Sequence, residues 1–231
     1  MKKSIDVSVV MPAFNEAENI RSAVDTVQKA LHGHVSDYEI IIIDDGSLDD
    51  TGAIAQGLHK KDPRIRVYHN IPNRGFGYSI KRGIGAAKKS YVTLFPSDNE
   101  ISGQSLSDMV RAVRQTDFVT AYNKNSHDRP LHRRFLSWLF VALFNALFGF
   151  HQRYYTGPFI GKTKDIQSLK LKSDGNALIA ELKIRMLMRG ISHKEIPFTY
   201  QPRAHGTSVA LSQKSIKQTL YTFWILMREL L

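Results

Sequence analysis

Two carboxylates follow a short apolar run near the middle of the chain. The run Tyr91–Phe95 consists mainly of β-branched and aromatic residues, a composition that predicts a strand buried in a sheet. Pro96 ends the run, and Asp98 and Glu100 come directly after it. Carboxylates at this spacing are hard oxygen ligands that suit a divalent cation bound to a diphosphate. The alternative interpretation is an acidic turn without a ligand.

Acidic residues also follow two other predicted strands. Glu16 comes after the apolar run Val7–Met11. Asp44 and Asp45 come after Tyr38–Ile43, which contains four consecutive isoleucines. The carboxyl ends of parallel strands meet at one edge of a sheet, where open α/β sheets bind their ligands. Because unpaired carboxylates repel one another, their convergence predicts a bound metal ion or nucleotide at this edge.

Strands and helices alternate along the chain. In the first part, strands are predicted near 7–11, 38–43, 65–68 and 90–95, with helices near 16–31, 47–59 and 79–88. In the second part, helices are predicted over 106–114, 133–150 and 177–188, strands over 117–122 and 191–200, and a last helix from about 212. Asn15 is expected to cap the first helix. The alternation predicts a single α/β domain with a mostly parallel, doubly wound sheet flanked by helices.

Common nucleotide-binding motifs are absent from the strand-to-helix turns. The first turn, Met11–Glu16, contains no glycine and therefore cannot grip a pyrophosphate as a dinucleotide-binding turn does. Gly75 and Gly77 form a glycine pair, but Ile80 stands where a third glycine is required. The P-loop pattern is also absent. NAD and P-loop chemistry are therefore disfavoured.

The composition describes a basic globular protein. The 231 residues, 42% of them hydrophobic, are enough for one large α/β domain. Without cysteine, disulfides and thiol chemistry are excluded, which fits a reducing cytosol. Asp6 interrupts the apolar run at the start, so a secretion signal is not expected. The net charge of +11 favours a polyanionic partner: nucleic acid, anionic lipid or a phosphorylated substrate.

An uncharged block of sixteen residues, Phe135–Phe150, lies between basic flanks. It is shorter than the roughly twenty apolar residues of a membrane-spanning helix. Its aromatic side chains point in several directions around a helix, and they are separate from the basic residues, unlike the interleaved pattern of a nucleic-acid reader. The block predicts an interfacial helix near 133–150 at a membrane surface and argues against nucleic acid. A buried core helix is the alternative.

Three motifs in the first half resemble family 2 glycosyltransferases of the GT-A fold: Val9–Ile20, Ile42–Ser47 and Asn73–Gly77. Later segments resemble the dolichyl-phosphate mannose synthase-like branch, which loads sugars onto polyprenyl phosphates; they are 133–137, 156–159, Glu181 and 203–208. The resemblance covers nearly the whole chain in the expected order. It implies a single GT-A domain over residues 1–231, with a nucleotide-sugar half of about 1–122 and an acceptor or membrane-facing half of about 123–231.

The resemblance also implies roles for individual residues. It implies nucleotide-sugar binding by Pro12, Phe14, Glu16, Asp44, Asp45, Arg74, Gly75, Gly77, Ser97, Asp98, Glu181 and Arg203. Asp45 is expected to read the base. It implies catalytic roles for Asp98, Arg133, Ser137 and Arg203, with Arg133 and Ser137 holding the acceptor phosphate. Mg²⁺ or Mn²⁺ is expected at Asp98 and Glu100.

The chain departs from the family pattern at three points. Pro96 replaces the first Asp of the Asp-x-Asp metal motif, which weakens the expectation of a metal. Ala121-Tyr122-Asn123 replaces Gly-Ser-Arg and removes an arginine that would face the acceptor phosphate, for which Arg129 and Arg134 are candidate substitutes. Val209 replaces a lysine. The donor base, the sugar and the polyprenol therefore stay open.

The predicted chemistry is one displacement with inversion at the anomeric carbon. A polyprenyl phosphate is already ionised, so the enzyme has only to orient it and to stabilise the departing nucleoside diphosphate. A sugar hydroxyl as acceptor would instead require a base, either Glu181 or Asp98. The alternatives are therefore a family 2 enzyme with a saccharide acceptor and a catalytically degenerate membrane-binding homologue. We expect a peripheral protein on the cytoplasmic side of a membrane, with a homo-oligomer or an integral membrane partner left open.

Overall fold

The computed structural model describes residues 4–125, 131–175 and 177–201, together with 221, 222, 224, 225, 227 and 228 near the C-terminus. Within 131–148 it describes the backbone throughout and all side chains except those of 132, 133 and 136. The first elements are β1 (Asp6–Ala13), α1 (Ile20–Leu31), β2 (Asp37–Asp44), α2 (Thr51–Lys61), β3 (Ile65–His69), α3 (Phe76–Ala86) and β4 (Tyr91–Leu94). They are followed by α4 (Gly103–Ala112), β5 (Phe118–Asn123), α5 (Leu131–Phe148), β6 (Phe159–Lys162), α6 (Thr163–Gln167), α7 (Ala177–Met188) and β7 (His193–Phe198).

The strands form one sheet in the order β3-β2-β1-β4-β6-β5-β7. β1 pairs in parallel with β2 and β4, β2 with β3, and β5 with β7. β6 runs antiparallel to both of its neighbours, β4 and β5. Because β6 is antiparallel to both β4 and β5, β5 runs in the same direction as β4. The carboxyl ends of β1, β4 and β5 therefore lie at the same edge of the sheet. The predicted mostly parallel α/β fold is confirmed.

Helices cover the two faces of the sheet, as the isoleucine run of β2 predicts. Ile40 and Ile42 belong to a core cluster that includes side chains of α1 and α4. Ile41 and Ile43 point to the other face, into a cluster that includes side chains of α3 and α7. This alternation buries β2 on both faces and fixes its register against β1, because a slip of one residue would exchange the two sets of side chains.

Three local predictions need correction. Asn15 does not cap the first helix: it has a positive φ of 54°, and its side-chain oxygen accepts a hydrogen bond from the backbone N–H of Leu48. The helix instead begins at Ile20, so Glu16 precedes it. α3 begins at Phe76, earlier than expected, and β6 and α6 were not predicted. The start of the last helix, near 212, lies outside the described residues.

Helix α5 is buried on one side and exposed on the other. Phe144 is 1% exposed and contacts Tyr155, with 5.5 Å between ring centroids. The opposite side carries a stripe of exposed apolar residues, which we call the exposed α5 face: Leu131, Phe135, Trp138, Leu139 and Leu143. The buried side agrees with the core-helix alternative, and the interfacial position of the block stays a prediction. No helix in the described part of the chain is long and apolar enough to cross a bilayer.

Candidate active site

The crevice at the carboxyl ends of β1 and β4 is where ligands are expected in this topology. From β1 the chain builds β2 and β3 on one side and then returns to place β4 on the other, so the strand order reverses at β1. Ser97 donates a hydrogen bond of 2.8 Å to the carbonyl oxygen of Pro12. Both residues are buried. The structure therefore brings these two predicted site residues into direct contact across the switch point.

The loop after β1 is joined to the turn after β2. The backbone N–H of Glu16 donates to the hydroxyl of Thr51 at 2.7 Å, and that of Asn15 donates to the hydroxyl of Ser47 at 3.0 Å. The Glu16 carboxylate accepts a bond of 2.7 Å from the side chain of Asn19. These contacts hold the loop while Phe14 remains 46% exposed at its tip, so the Phe14 side chain is accessible to a ligand at this edge.

Asp45 holds the loop that precedes α3. Its carboxylate accepts hydrogen bonds from the side chain of Asn70 at 2.7 Å and from the backbone N–H groups of Arg74 at 3.0 Å and Gly75 at 2.7 Å. Asn73 donates to the backbone carbonyl of Asp45 at 2.7 Å. The buried carboxylate thus positions the predicted nucleotide loop, and its contact with a base stays a prediction. Asn70 and Asn73 were not predicted as site residues, although Asn73 begins the motif Asn73–Gly77.

Asp44 stabilises the turn beside it. One carboxylate oxygen accepts from the backbone N–H of Ser47 at 3.0 Å, and the other lies 2.8 Å from Nδ1 of His69. Asp44 is buried, so its observed contacts are those of a residue that shapes the turn. Its predicted role in nucleotide-sugar binding remains untested.

The loop over Arg74–Gly77 combines an exposed cation with two constrained glycines. The Arg74 guanidinium lies 4.3 Å from the centroid of the Tyr78 ring. Gly75 has a φ of +89°, which L side chains rarely adopt. A Cβ at Gly77 would lie 2.5 Å from the backbone nitrogen of Gly175. Both glycines are therefore required by the path of the backbone and by its packing.

The segment after β4 carries the two candidate metal ligands. Asp98 Oδ1 accepts a hydrogen bond of 3.1 Å from the backbone N–H of Glu100. Asn99 between them has a positive φ of 57°, and its buried Oδ1 has no hydrogen-bond partner among the described residues. In the part of the chain that the structure describes, no group of three or more His, Cys, Asp or Glu side chains is arranged to hold a metal ion. Magnesium binds through one or two carboxylates together with substrate phosphates, so Asp98 and Glu100 fit such a cation.

Glu181 lies inside the protein, in α7, and is fully buried. Its carboxylate accepts hydrogen bonds from the backbone N–H groups of Lys172 at 3.0 Å and Ser173 at 2.7 Å, and from Arg185 Nε at 2.7 Å. The following residues of this loop, 174–175, pack against Gly77. Glu181 therefore supports the Arg74–Gly77 segment through an intervening loop, and its direct contact with a nucleotide sugar stays a prediction.

A cavity of about 570 Å³ opens between the end of β5 and α5, and we call it the β5–α5 cavity. It is lined by Tyr122, Asn123, Leu131, Arg134, Phe135, Ser137, Trp138, Val141, Arg153 and Tyr154. It contains the predicted Ser137, the candidate substitute Arg134, and Asn123 at the position of the missing arginine. β6 alone separates β5 from β4, so the two strands lie about 10 Å apart, and β5 extends three residues beyond the level of Leu94.

A chain of contacts joins this cavity to the candidate metal segment. Asn125, just after β5, exchanges two hydrogen bonds of 3.1 Å with the backbone of Tyr200. Tyr200 forms a β-bridge with Ile101, and the N–H of Gln201 donates to the carbonyl oxygen of Glu100 at 2.7 Å. Residues 98–101 and the end of β5 are therefore held by the same segment after β7.

Glu195 and Lys183, which the sequence analysis did not single out, support one wall of the cavity. The Glu195 carboxylate accepts hydrogen bonds from the backbone N–H groups of Arg153 at 3.0 Å and Tyr154 at 3.3 Å. Lys183, fully buried in α7, donates to the carbonyl oxygen of Tyr154 at 3.4 Å. Burial lowers the pKa of Lys183 to about 7, against the attraction of Glu195. Burial raises the pKa of Glu195. Lys183, a charged residue within the apolar sequence of α7, was the sequence signal that could have identified this contact.

The other predicted residues lie wholly or partly outside the described part of the chain. Arg133 belongs to α5, but its side chain lies outside the described residues. Arg129 and Arg203 also lie outside them.

The model of glycosyl transferase family 2 matches residues 8–176, well over half of the chain. The chain belongs to glycosyl transferase family 2. This match confirms the family predicted from the motifs after β1 and β2 and before α3. Family 2 glycosyltransferases are sugar-transferring enzymes.

Similar proteins include both general and lipid-directed enzymes. This family 2 chain is 27% identical to glycosyltransferase AglD of Haloferax volcanii over 233 residues, covering 95% of the chain and 37% of AglD. It is 25% identical to the dolichol-phosphate mannosyltransferase of Pyrococcus furiosus over 232 residues, covering 96% of the chain and 64% of that protein. The chain thus spans less than two thirds of the length of either relative.

Solved structures share the fold. The glucosyl-3-phosphoglycerate synthase of Mycobacterium tuberculosis superposes on this family 2 chain with a TM-score of 0.72 and 21% identity, covering 96% of this chain and 78% of that one. At this identity the likeness shows the GT-A fold alone. The predicted GT-A architecture is confirmed.

Proposed function

We propose that this chain is an inverting glycosyltransferase that moves a sugar from a nucleoside-diphosphate sugar to a polyprenyl phosphate at a membrane surface. The position of the β5–α5 cavity carries the proposal. The cavity opens at the same sheet edge as Asp98, and its walls combine Ser137 and arginines with apolar side chains of α5. An acceptor with a phosphate head and an isoprenoid tail needs both kinds of wall. The relationship to a dolichol-phosphate mannosyltransferase supports this acceptor class.

The donor is proposed to bind at the loops after β1, β2 and β4. The proposed binding residues are Pro12, Phe14, Glu16, Asp44, Asp45, Arg74, Gly75, Gly77, Ser97, Asp98, Glu181 and Arg203. Their contacts distinguish two kinds of residue among them. Phe14 and Arg74 have exposed side chains that can contact a nucleotide directly. Asp44, Asp45 and Glu181 are buried and hydrogen-bonded to the loops, so their contribution is to hold those loops in shape.

The departing diphosphate requires positive charge at the end of β4. Asp98 and Glu100 are the residues that would hold Mg²⁺ or Mn²⁺, and such a cation supplies Lewis-acid stabilisation of the leaving nucleoside diphosphate. The synthase that shares this fold was solved with Mn²⁺ and uridine diphosphate, which supports the same class of cofactor here. Pro96 leaves one carboxylate fewer than an Asp-x-Asp motif supplies, so we expect weaker metal affinity.

The acceptor phosphate needs orientation rather than deprotonation. Its oxygen is already anionic, and the rate gain comes from holding it in line with the anomeric carbon and the leaving oxygen. Ser137 lines the cavity and provides a hydroxyl donor for this purpose. Arg133 is proposed beside it from the family resemblance. A single in-line displacement inverts the anomeric configuration.

The membrane surface is proposed to contact the exposed α5 face. Leu131, Phe135 and Trp138 belong both to that face and to the lining of the cavity. A lipid tail can therefore pass from the bilayer into the cavity without leaving apolar surroundings. The net charge of +11 favours an anionic surface, as expected for a peripheral protein on the cytoplasmic side. In this arrangement residues 1–122 bind the donor and residues 123–231 face the acceptor.

A saccharide hydroxyl is the rival acceptor, and the geometry disfavours it. That reaction needs a carboxylate base within hydrogen-bond reach of the hydroxyl. Glu181 is fully buried and engaged by two backbone N–H groups and Arg185. Asp98 would then have to serve both the cation and the hydroxyl. The apolar wall of the cavity also offers few partners to a sugar.

The testing experiment measures transfer from a panel of radiolabelled nucleotide sugars to a short polyprenyl phosphate, with and without Mg²⁺ or Mn²⁺. We expect one donor to yield a lipid-linked product in a cation-dependent way. Asp98→Ala is expected to lower the rate at least about a hundredfold, because electrostatic stabilisation of the leaving group is commonly worth that much. The absence of a lipid-linked product with every donor would contradict the proposed function. Full activity of Asp98→Ala would contradict the metal assignment.

A further inference from the structure

Arg153 enters the β5–α5 cavity from the wall opposite α5. It lies in the loop between α5 and β6, and its guanidinium is 4.6 Å from the centroid of the Tyr122 ring. Tyr122 and Asn123 end β5, at the position where the family pattern has an arginine. β5 lacks the arginine of the family pattern, but the guanidinium of Arg153 lies over the ring of Tyr122 at the end of that strand.

The backbone of Arg153 is held from two sides. Both oxygens of the Glu195 carboxylate, in β7, lie within 3.1 Å of the Arg153 backbone nitrogen. Lys183 in α7 donates to the next residue, Tyr154. Gln152, just before it, is buried, and Asn145 exchanges two hydrogen bonds with its backbone at 2.8 and 3.0 Å. Arg153 is itself exposed, but these hydrogen bonds fix the position of its backbone.

The guanidinium itself remains available for an anion. Stacking on Tyr122 occupies the face of the planar group and leaves its N–H edges for hydrogen bonds in the plane. Among the described residues, no carboxylate pairs with the guanidinium of Arg153 or with that of Arg134. Two arginines thus line one cavity together with the hydroxyl of Ser137, and neither forms an ion pair with a carboxylate among the described residues.

We propose that Arg153 binds the phosphate of the acceptor in the β5–α5 cavity, with Arg134 and Ser137 as its partners. The inference rests on the proposed function for the identity of the acceptor. Planar guanidinium groups bind phosphate oxygens through two parallel N–H bonds, and stacking on an aromatic ring orients the group for such contact. Arg153 thereby replaces, from another part of the chain, the arginine that Asn123 lacks.

The same site chemistry would accept a free phosphate or a small phosphorylated acid as well as a lipid phosphate. The apolar part of the lining, formed by Phe135, Trp138 and Val141, favours the lipid. Burial of an isoprenoid chain adds binding free energy for each methylene, whereas inorganic phosphate gains nothing from these side chains. The lipid phosphate is therefore expected to bind more tightly than inorganic phosphate.

The test measures binding to the full chain by isothermal titration calorimetry, with farnesyl phosphate, farnesol and inorganic phosphate as probes. Arg153→Gln is compared with Arg64→Gln, which removes an arginine that also stacks on a tyrosine, 4.4 Å from the Tyr38 ring at the opposite edge of the sheet. We expect Arg153→Gln to weaken farnesyl phosphate binding about tenfold or more, the loss typical of one charge-assisted hydrogen bond. Arg153→Lys should weaken farnesyl phosphate binding less than Arg153→Gln does. Neither substitution should change the binding of farnesol.

Several outcomes separate this inference from the proposed function. Equal farnesyl phosphate affinity of Arg153→Gln, Arg64→Gln and the wild type would overturn the role of Arg153, even if the wild type transfers sugar to a polyprenyl phosphate. A selective loss in Arg153→Gln supports the phosphate site, even if no sugar transfer is found, and the proposed reaction alone would then fail. Equal weakening by both substitutions would overturn the inference, because it would reflect net charge rather than the cavity.

Discussion

The backbone N–H of Gly75 donates a hydrogen bond of 2.7 Å to the carboxylate of Asp45, thirty residues earlier in the chain. This bond joins the end of β2 to the loop that begins α3. Asp45 is buried, and its oxygens also accept from Arg74 and Asn70. The acidic motif after β2 therefore acts on the protein itself, by holding the loop before α3, the proposed donor loop, in one conformation.

Asp45→Asn should loosen this loop. The amide presents a donor where a buried carboxylate oxygen accepted from Arg74 or Gly75, which leaves backbone N–H groups unsatisfied at a cost of about 1–3 kcal/mol. We expect lower stability in urea and a KM for the nucleotide sugar raised several-fold. Asp50→Asn, an exposed substitution on the same turn, is the matched control and should change neither quantity. Equal effects of both substitutions would argue against an anchoring role.

Two glycines of α3 provide a second test of the donor loop. In Gly77→Ala the new Cβ would meet the backbone of Gly175 at 2.5 Å and of Asp174 at 2.8 Å, and neither can move without the loop held by Glu181. Overpacking of this kind costs about 1–3 kcal/mol. Gly85→Ala in the same helix meets nothing within 4 Å and should stabilise the protein by up to about 1 kcal/mol. Urea unfolding of both variants checks the expected opposite signs.

The sequence predicted the strands and the sheet edge well, because these depend on local patterns. Ile40–Ile43 indicated a strand covered on both faces, and Asp98 lies at the predicted strand end. Predictions from local sequence patterns failed where contacts between residues distant in the chain determine the structure. Asn15 has the side chain of a helix cap, but its oxygen bonds Leu48 of a distant turn. β6 has four residues, Phe159–Lys162, too few to show a period, and it is stabilised by pairing with strands distant in sequence.

The candidate site was predictable in part for the same reason. Residues that come within a few positions of a strand end, such as Asp45 and Asp98, could be assigned to one edge from topology alone. Arg153 could not, because only the tertiary structure stacks it over Tyr122. The division of α5 into a buried side with Phe144 and an exposed side with Trp138 also requires the neighbouring helices, since the sequence is apolar all around.

Lys183 should make stability depend on pH. Because burial lowers its pKa from 10.5 to about 7, the unfolded chain binds a proton between these values that the folded chain does not. Stability should therefore rise as pH increases from 7 to 10, by at most about 1.4 kcal/mol per pH unit from this group. Lys183→Met should reduce this slope, and the exposed Lys88→Met should not.

Urea unfolding of the three proteins at pH 7.5, 8.5 and 9.5 measures the effect. Glu195 contributes with the opposite sign: burial raises its carboxyl pKa, so its stabilising contribution is present in acid and is lost as pH rises. Working above pH 7.5 keeps the comparison within the lysine window. An unchanged slope in Lys183→Met would show that the buried lysine does not titrate there.

The exposed α5 face should control membrane binding. Phe135 and Trp138 are 60% and 63% exposed, with ring centroids 6.0 Å apart. Replacing both with serine should lower partitioning to vesicles of phosphatidylglycerol and phosphatidylcholine at least about tenfold, since each buried aromatic ring contributes about 1.5–3 kcal/mol. Met188→Ser, an exposed apolar residue at the end of α7, is the control. Unchanged sedimentation with vesicles would indicate another partner for this face.

The most direct test of the account is a competition between acceptors in one mixture. The wild-type chain is supplied with each radiolabelled nucleotide sugar in turn, together with undecaprenyl phosphate, 3-phosphoglycerate and a disaccharide in equal amounts. Because the β5–α5 cavity joins an apolar wall to arginines at the same edge as Asp98, we predict that the label appears in the organic phase as a phosphate-linked sugar. Label only on the water-soluble acceptors, or no transfer from any donor, would contradict the account.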